Sequence, residues 1–326
     1  MSTVEWSNRT VLVTGATGMV GSALTATLVE VGARVVALVA DVDPQSELYR
    51  SRVIDRVSVV NGRLEDVDAV ERAVVGHEVD TIIHLGAQTI VSTAHRSPRA
   101  TLESNVQGTW NVLDVARLHP TLVKSVVVAS SDKAYGESDV LPYVESMRLQ
   151  GTYPYEVSKS MTDLVTRSYA LTYGVPAVVA RCGNIYGPGD LNWSRIVPGT
   201  FRSIILGQRP VLRSDGTFLR DYLHVDDVVS AYLVLAGVAA EHVGDAYNFS
   251  DESPLSVLDI YGGCCRAAGV PDLEPEILGK AVGEIKDQYL DASLARRELG
   301  WTAAVSLDDG LRSTFGWYTA LLGAGR

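Results

Sequence analysis

Cysteine is scarce: Cys182, Cys264 and Cys265 are the only three in 326 residues. Two are adjacent and the third stands alone in an apolar run, so they offer neither a disulfide framework nor a metal-ligand spacing. All three read as buried thiols, and no metal is expected. Positive charge is also short, since 28 Lys and Arg against 39 Asp and Glu leave a net charge of −11. That balance argues against a nucleic-acid surface, which needs a basic face to displace counterions. It leaves room for a small anion, because backbone amides and a few placed arginines bind phosphate locally. No run of about 18 apolar residues occurs, so no membrane span is expected. The polar stretch Met1–Thr10 has no charged-then-apolar leader pattern, and a cytoplasmic location follows as an expectation. Internal repeats and low-complexity tracts are missing too.

What is present is an ordinary globular composition, 46% hydrophobic and 21% charged, long enough for a large domain with a smaller one appended. Short β-branched runs at Thr10–Thr14, Arg34–Val39, Val57–Val60, Thr81–Leu85, Ser125–Ser130 and Ala177–Arg181 read as strands. Between them lie stretches with helical apolar spacing, such as Met19–Val31 and Val106–Leu118. That alternation predicts an α/β fold with a doubly wound parallel sheet. From about Pro188 the rhythm breaks into loops and short elements, which predicts a smaller C-terminal lobe over the carboxyl edge of the sheet.

The first strand runs into Gly15-Ala16-Thr17-Gly18-Met19-Val20-Gly21. Glycines at the first, fourth and seventh positions serve a tight turn, a close approach of backbone to a pyrophosphate, and packing of helix on strand. A dinucleotide is the expected ligand. Val39 occupies the place where a ribose-binding acid is common, which makes Asp41 the nearest candidate. No arginine follows Asp41 closely in sequence, so NAD is expected over NADP. Arg63 stands where an adenine-contacting Asp is common, a second departure at the same end.

The sharpest chemical signal is Tyr155-Glu156-Val157-Ser158-Lys159, with Ser131 at the end of an expected strand. Residues four apart share a helix face, so Lys159 is expected near Tyr155, where its charge and that of an oxidised nicotinamide would lower the phenol's pKa. A tyrosinate could then take a hydroxyl proton as hydride leaves for the cofactor.

Together with His84–Gln88, Asn105–Thr109, Ser130–Gly136, Arg181–Gly189, Arg220–Asp227 and Leu299–Trp301, these segments resemble the extended short-chain dehydrogenase/reductases, in particular NAD-dependent epimerases and dehydratases of nucleotide sugars. The resemblance implies a Rossmann domain over 1–187, with later segments at about 215–250 interleaved, and a mainly substrate-binding lobe over 188–326. It implies cofactor contacts from Leu64, Leu85, Gly86, Ala87, Gln88 and Asn105 in addition to the glycine turn, Tyr155 and Lys159. It also implies substrate contacts from Gln88, Ser131, Asn184, Arg195, Ile196, Arg213 and Arg220, with Asn184 and Arg220 on the diphosphate. A homodimer through the helix beginning near Tyr155 is implied in the same way.

Ser131-Asp132-Lys133 selects a branch. Once C4 of a sugar is a ketone, removing water across C5 and C6 needs one group to take the C5 proton and another to protonate the departing hydroxyl. Asp132 and Lys133 are two such groups, and the Asp-Lys form resembles 4,6-dehydratases of the CDP-glucose type and some UDP-sugar enzymes. The expectation is an NAD-dependent dehydratase of a nucleoside diphosphate sugar. A 4-epimerase, with the same oxidation and no elimination, and a non-catalytic dinucleotide sensor are the alternatives. A surface ion pair on a loop is the plainer reading of Asp132 and Lys133.

Overall fold

The chain is described here by a computed structural model covering residues 5–280 and 285–323. Seven parallel strands make the central sheet: β1 (Thr10–Thr14), β2 (Arg34–Val39), β3 (Ser58–Asn61), β4 (Thr81–His84), β5 (Ser125–Ala129), β6 (Ala177–Cys182) and β7 (Ala246–Phe249). Their spatial order is β7-β6-β5-β4-β1-β2-β3. The chain winds outward through β2 and β3, then returns to lay β4 on the other side of β1. Ligands of such sheets bind at that reversal, beyond the carboxyl ends of the strands.

Both faces of the sheet are covered except along the edge strand β3, which is mostly exposed, and the covered strands lack an apolar-polar alternation. Val11 and Val13 of β1 join the core on one face, with Leu24 and Leu28 of the helix Met19–Glu30 and Leu235 of the helix Val225–Val238. Leu12 joins the core on the other, with Val70, Val112 and Val126. The six expected strands are all present, with ends shifted by a residue at most. The seventh, β7, was not among them. Its sequence Ala-Tyr-Asn-Phe carries a fully buried Asn248, whose Oδ1 accepts from Tyr135 Oη over 2.7 Å and whose Nδ2 donates to Tyr143 O over 3.0 Å.

Arg181 of β6 is buried as well. Its guanidinium makes a two-point contact with Asp163 on the helix Pro154–Tyr173, at 2.7 and 2.9 Å, and donates to Tyr135 Oη over 2.8 Å. Burial opposes the charge, yet the Asp163 carboxylate holds the guanidinium pKa above its ordinary value. This pair pins the Tyr155 helix to the sheet.

Beyond the carboxyl edge, the helices Ile196–Ile205, Val257–Ala267 and Leu307–Gly323 enclose a separate core around Phe201, Ile260, Leu311 and Tyr318. All three cysteines are free and buried. Among the described residues, no helix is long and apolar enough to cross a membrane.

Candidate active site

A cleft of about 1350 Å³ lies between the carboxyl ends of the strands and the second lobe, and a smaller cavity of about 300 Å³ adjoins it. Gly15, Thr17 and Ala87 border both, so the two spaces meet at the glycine turn.

That turn is built as its sequence suggests. Gly15 has φ +70°, and a Cβ there would lie 2.8 Å from Gly86 N; a Cβ on Gly21 would lie 2.0 Å from Gly15 O. These two glycines are required by the fold itself. Gly18 differs: it precedes the first turn of the helix Met19–Glu30, and a Cβ there would meet only Gly15 O, at 3.3 Å. It lines the cleft with Met19, Val20 and Gly21. Helix starts leave amides without intrahelical partners, so this cradle fits the pyrophosphate of a dinucleotide.

The wall of the smaller cavity includes Leu64, Gly86, Ala87 and Gln88, while Leu85 faces the cleft. Asn105 lies behind them, fully buried. Its Oδ1 accepts from Gln88 N at 2.6 Å and its Nδ2 donates to Gln88 O at 3.1 Å and to Ser158 Oγ at 2.9 Å. Asn105 therefore shapes the loop and lines neither space. Gln88 was expected on the substrate as well, but its Oε1 accepts from Ile90 N at 2.7 Å and the residue borders only the smaller cavity. Asp41 departs from expectation more strongly: its side chain is 87% exposed, it lines neither space, and Arg63 reaches to within 3.9 Å of its carboxylate. No arginine follows Asp41 closely in sequence, and the one that comes near it in space, Arg63, follows the neighbouring strand β3.

Tyr155 lies in the first turn of the helix Pro154–Tyr173. Pro154 fixes the helix start, and Glu156 Oε2 accepts from Thr152 N and Tyr153 N at 2.9 and 3.2 Å. Tyr155 and Lys159 face the cleft beside Ser131 and Lys133. Lys159 Nζ donates to Ala129 O over 2.8 Å, and burial draws its pKa down to about 8. Burial pushes the Tyr155 phenol up to about 12, against the smaller opposing effects of the Arg195 charge and a hydrogen bond with Ser131. Of the two charges expected to lower the phenol, that of Lys159 is held by the Ala129 carbonyl, and among the side chains burial is the largest influence on the tyrosine.

Ser131 caps a short helical turn, Asp132–Tyr135, its Oγ accepting from Lys133 N at 3.2 Å. The same Oγ donates to Asp132 Oδ1 over 2.7 Å. Lys133 Nζ lies 3.5 Å from Asp132 Oδ1 and 3.5 Å from Asn184 Oδ1. Lys133 and Asn184 line the cleft, whereas Asp132 is buried behind Ser131 and lines neither space. The surface ion pair considered from sequence is thus set aside, since one partner is inside the protein.

At the far end, Arg195, Ile196, Arg213 and Arg220 all line the cleft. Arg195 Nη1 is 3.0 Å from the buried Asp190 carboxylate, and Arg213 Nη2 donates to Ser194 O over 2.9 Å. Arg220 was expected on a diphosphate. Its guanidinium donates from Nη1 to Leu219 O and Lys286 O and from Nη2 to Ile285 O, bonds that hold it on the cleft wall without using Nε. Trp193 also lines the cleft, with the Arg202 guanidinium 4.9 Å from its ring centre. No motif pointed to it.

Residues 11–249 match the NAD dependent epimerase/dehydratase family. The chain is similar to a dTDP-glucose 4,6-dehydratase of Streptomyces griseus, 31% identical over 314 residues that cover 94% of this chain and 93% of the relative. Its fold is similar to that of a double mutant of dTDP-glucose 4,6-dehydratase from Streptomyces venezuelae solved with NAD bound (TM-score 0.87, 28% identity, 96% of this chain and 98% of the other). A UDP-glucose 4-epimerase from Thermotoga maritima solved with UDP-glucose is equally similar in fold (TM-score 0.87, 27% identity, 96% and 99%).

Proposed function

This chain belongs to the NAD dependent epimerase/dehydratase family, and from that premise we propose that it is a 4,6-dehydratase of a nucleoside diphosphate hexose. The observation that carries the reading is the placement of Lys133 on the cleft wall, bridging Asp132 and Asn184 beside Ser131 and Tyr155. Oxidation at C4 needs only Tyr155, Lys159 and Ser131. Asp132 and Lys133 supply the further acid and base that elimination requires.

Bound NAD supplies a hydride acceptor at C4 that later returns the hydride to C6. Tyr155 takes the C4 hydroxyl proton while Ser131 hydrogen-bonds the C4 oxygen. Lys133 takes the C5 proton. The C6 hydroxyl leaves as water with a proton that originates on Asp132; because Asp132 lies behind Ser131, the hydrogen bond between them reverses, Asp132 donating to Ser131 Oγ as Ser131 passes its own proton to the leaving hydroxyl. Arg195, Arg213, Arg220 and Asn184 lie where the sugar nucleotide enters. The Asp-Lys form of the motif supports a CDP-glucose-type branch, while the relatives named above act on dTDP- and UDP-sugars.

The test uses CDP-, dTDP- and UDP-glucose deuterated at C4. A dehydratase yields a 4-keto-6-deoxy product with the label at C6, and reaction in heavy water places solvent deuterium at C5. Label retained in interconverting C4 epimers, with no solvent incorporation, establishes the epimerase instead, the reading favoured by the likeness to the Thermotoga enzyme.

A homodimer is part of the proposal. Met161, Leu164 and Leu171 leave one face of the helix Pro154–Tyr173 exposed and apolar, and Trp110 and Leu118 do the same on the helix Gly108–Leu118.

A further inference from the structure

The adenosine end of the dinucleotide site carries an arginine where the sequence offers an acid. Strands β2 and β3 pair in parallel with Val39 opposite Asn61, so the loops that follow them leave the sheet side by side. Asp41 lies on one loop and Arg63 on the other. Arg63 Nη1 lies 3.9 Å from Asp41 Oδ2, and its Nε lies 3.6 Å from Glu65 Oε2. Of Asp41 and Arg63, only the arginine borders the 300 Å³ cavity, beside Ala40, Gly62 and Leu64. Val39, at the end of β2, is buried and apolar. Glu65 is the one acidic residue on the wall, and its carboxylate already faces Arg63.

A carboxylate at the end of the second strand selects NAD by accepting the ribose hydroxyls and repelling a 2′-phosphate, whereas an arginine nearby accommodates that phosphate. Here the acid points into water and the arginine lies on the wall. We propose that the cavity also accepts a 2′-phosphorylated adenosine, so that NADP binds beside NAD, with Arg63 holding the 2′-phosphate. The Arg63 side chain is 64% exposed; its pair with Asp41 is a surface pair, which is weak and exchanges readily, and its contact with the half-buried Glu65 is long, at 3.6 Å. A planar guanidinium on a phosphate makes a two-point, charge-assisted contact that outcompetes them. The net acidity of Asp41 and Glu65 around one arginine sets the limit: affinity for the added phosphate is modest and falls with salt.

The inference rests on the dinucleotide reading of this site, and calorimetric titration of both cofactors separates the two. Wild type is expected to bind NADP within about tenfold of NAD. Arg63→Ala weakens NADP by about tenfold or more, the scale of one charged hydrogen-bonded contact, while NAD changes less than about threefold. Asp41→Ala strengthens NADP and leaves NAD nearly unchanged. NAD binding with NADP more than about tenfold weaker overturns the proposal, as does equal loss of both on Arg63→Ala. Failure of both dinucleotides to bind overturns it together with the dinucleotide reading. Arg63 and Asp41 are exposed, so both variants are expected to fold, and circular dichroism checks that they do.

Discussion

The Ser131 hydroxyl donates to the Asp132 carboxylate over 2.7 Å, with the serine on the cleft wall and the aspartate behind it. If Asp132 delivers its proton through that contact, Asp132→Asn should let the first oxidation proceed and slow product release by about a hundredfold, the range for loss of a general acid, so that enzyme-bound NADH builds up at 340 nm. Ser131→Ala also removes the hydroxyl that bonds the C4 oxygen, so it should slow the oxidation itself and build up no NADH. Ser131→Thr, which keeps the hydroxyl, should restore turnover. Lys133→Ala should also accumulate NADH, and it should abolish solvent deuterium uptake at C5. Fast product formation by Asp132→Asn would assign the acid elsewhere.

A second prediction concerns pH. The pKa of Lys159 is drawn from 10.5 down to about 8, so its charge is present below that pH and lost above it. The rate of C4 oxidation should fall as pH rises through about 8. Lys159→Arg should carry that limb to higher pH, and Tyr155→Phe should lose about a hundredfold or more at every pH. The sign for stability is opposite. Between about pH 8 and 10.5 the unfolded chain binds a proton that the folded chain does not, so the cost of burying Lys159 is full below pH 8 and is relieved as pH rises through that window. Urea titrations of wild type and Lys159→Met across the window measure the difference.

The glycine turn separates binding from folding. Gly15→Val forces a side chain against Gly86 in a backbone conformation that disfavours it, so it should lower the melting temperature as well as cofactor affinity. Gly18→Val has no such conflict with the sheet. It should keep the fold and weaken NAD by about tenfold or more, read by calorimetry beside a thermal melt. Unchanged NAD affinity in Gly18→Val would move the pyrophosphate away from this turn.

Asp163 is predicted to matter for stability alone. Asp163→Asn leaves the Arg181 guanidinium buried without its counter-charge, at a cost of about 3–5 kcal/mol. The urea midpoint should drop accordingly, and whatever protein remains folded should keep its affinity for NAD.

The apolar helix faces give a further test. Sedimentation of wild type should show a dimer, and Leu164→Glu combined with Leu171→Glu should shift it to monomer with the fold intact. A wild-type monomer at micromolar concentration would dismiss the homodimer.

The parts of the fold readable from sequence are those whose signal is local. Strands β1, β2, β4, β5 and β6 announce themselves because a sheet covered on both faces selects continuous β-branched runs, while β3, an exposed edge, is marked only by its short valine run. The glycine turn and the pairing of Tyr155 with Lys159 on one helix face follow from fixed spacings. The missing parts depend on partners distant in sequence. Nothing around Asn248 marks it as a strand residue, because its amide is satisfied by Tyr135 and Tyr143. The approach of Arg63 to Asp41 exists only once β2 and β3 pair. Arg220 reads as a phosphate ligand, and only the fold brings Ile285 and Lys286 carbonyls to it. Asp132 looks exposed in a polar stretch, and only the tertiary fold buries it.

Strand β7 has a consequence for how the protein is made. It pairs with β6, yet its residues, Ala246–Phe249, follow β6 in synthesis only after the helices Ile196–Ile205 and Val225–Val238 and the short elements around them. A nascent chain emerging from the ribosome therefore carries β6 as an open edge, with Arg181 and Asp163 in place but Asn248 not yet delivered to Tyr135. Open parallel edges recruit strands from other chains, and long-range pairings close slowly. Ribosome-stalled chains ending before Ala246 should be protease-sensitive and chaperone-bound, and those extending well past Phe249 should become resistant.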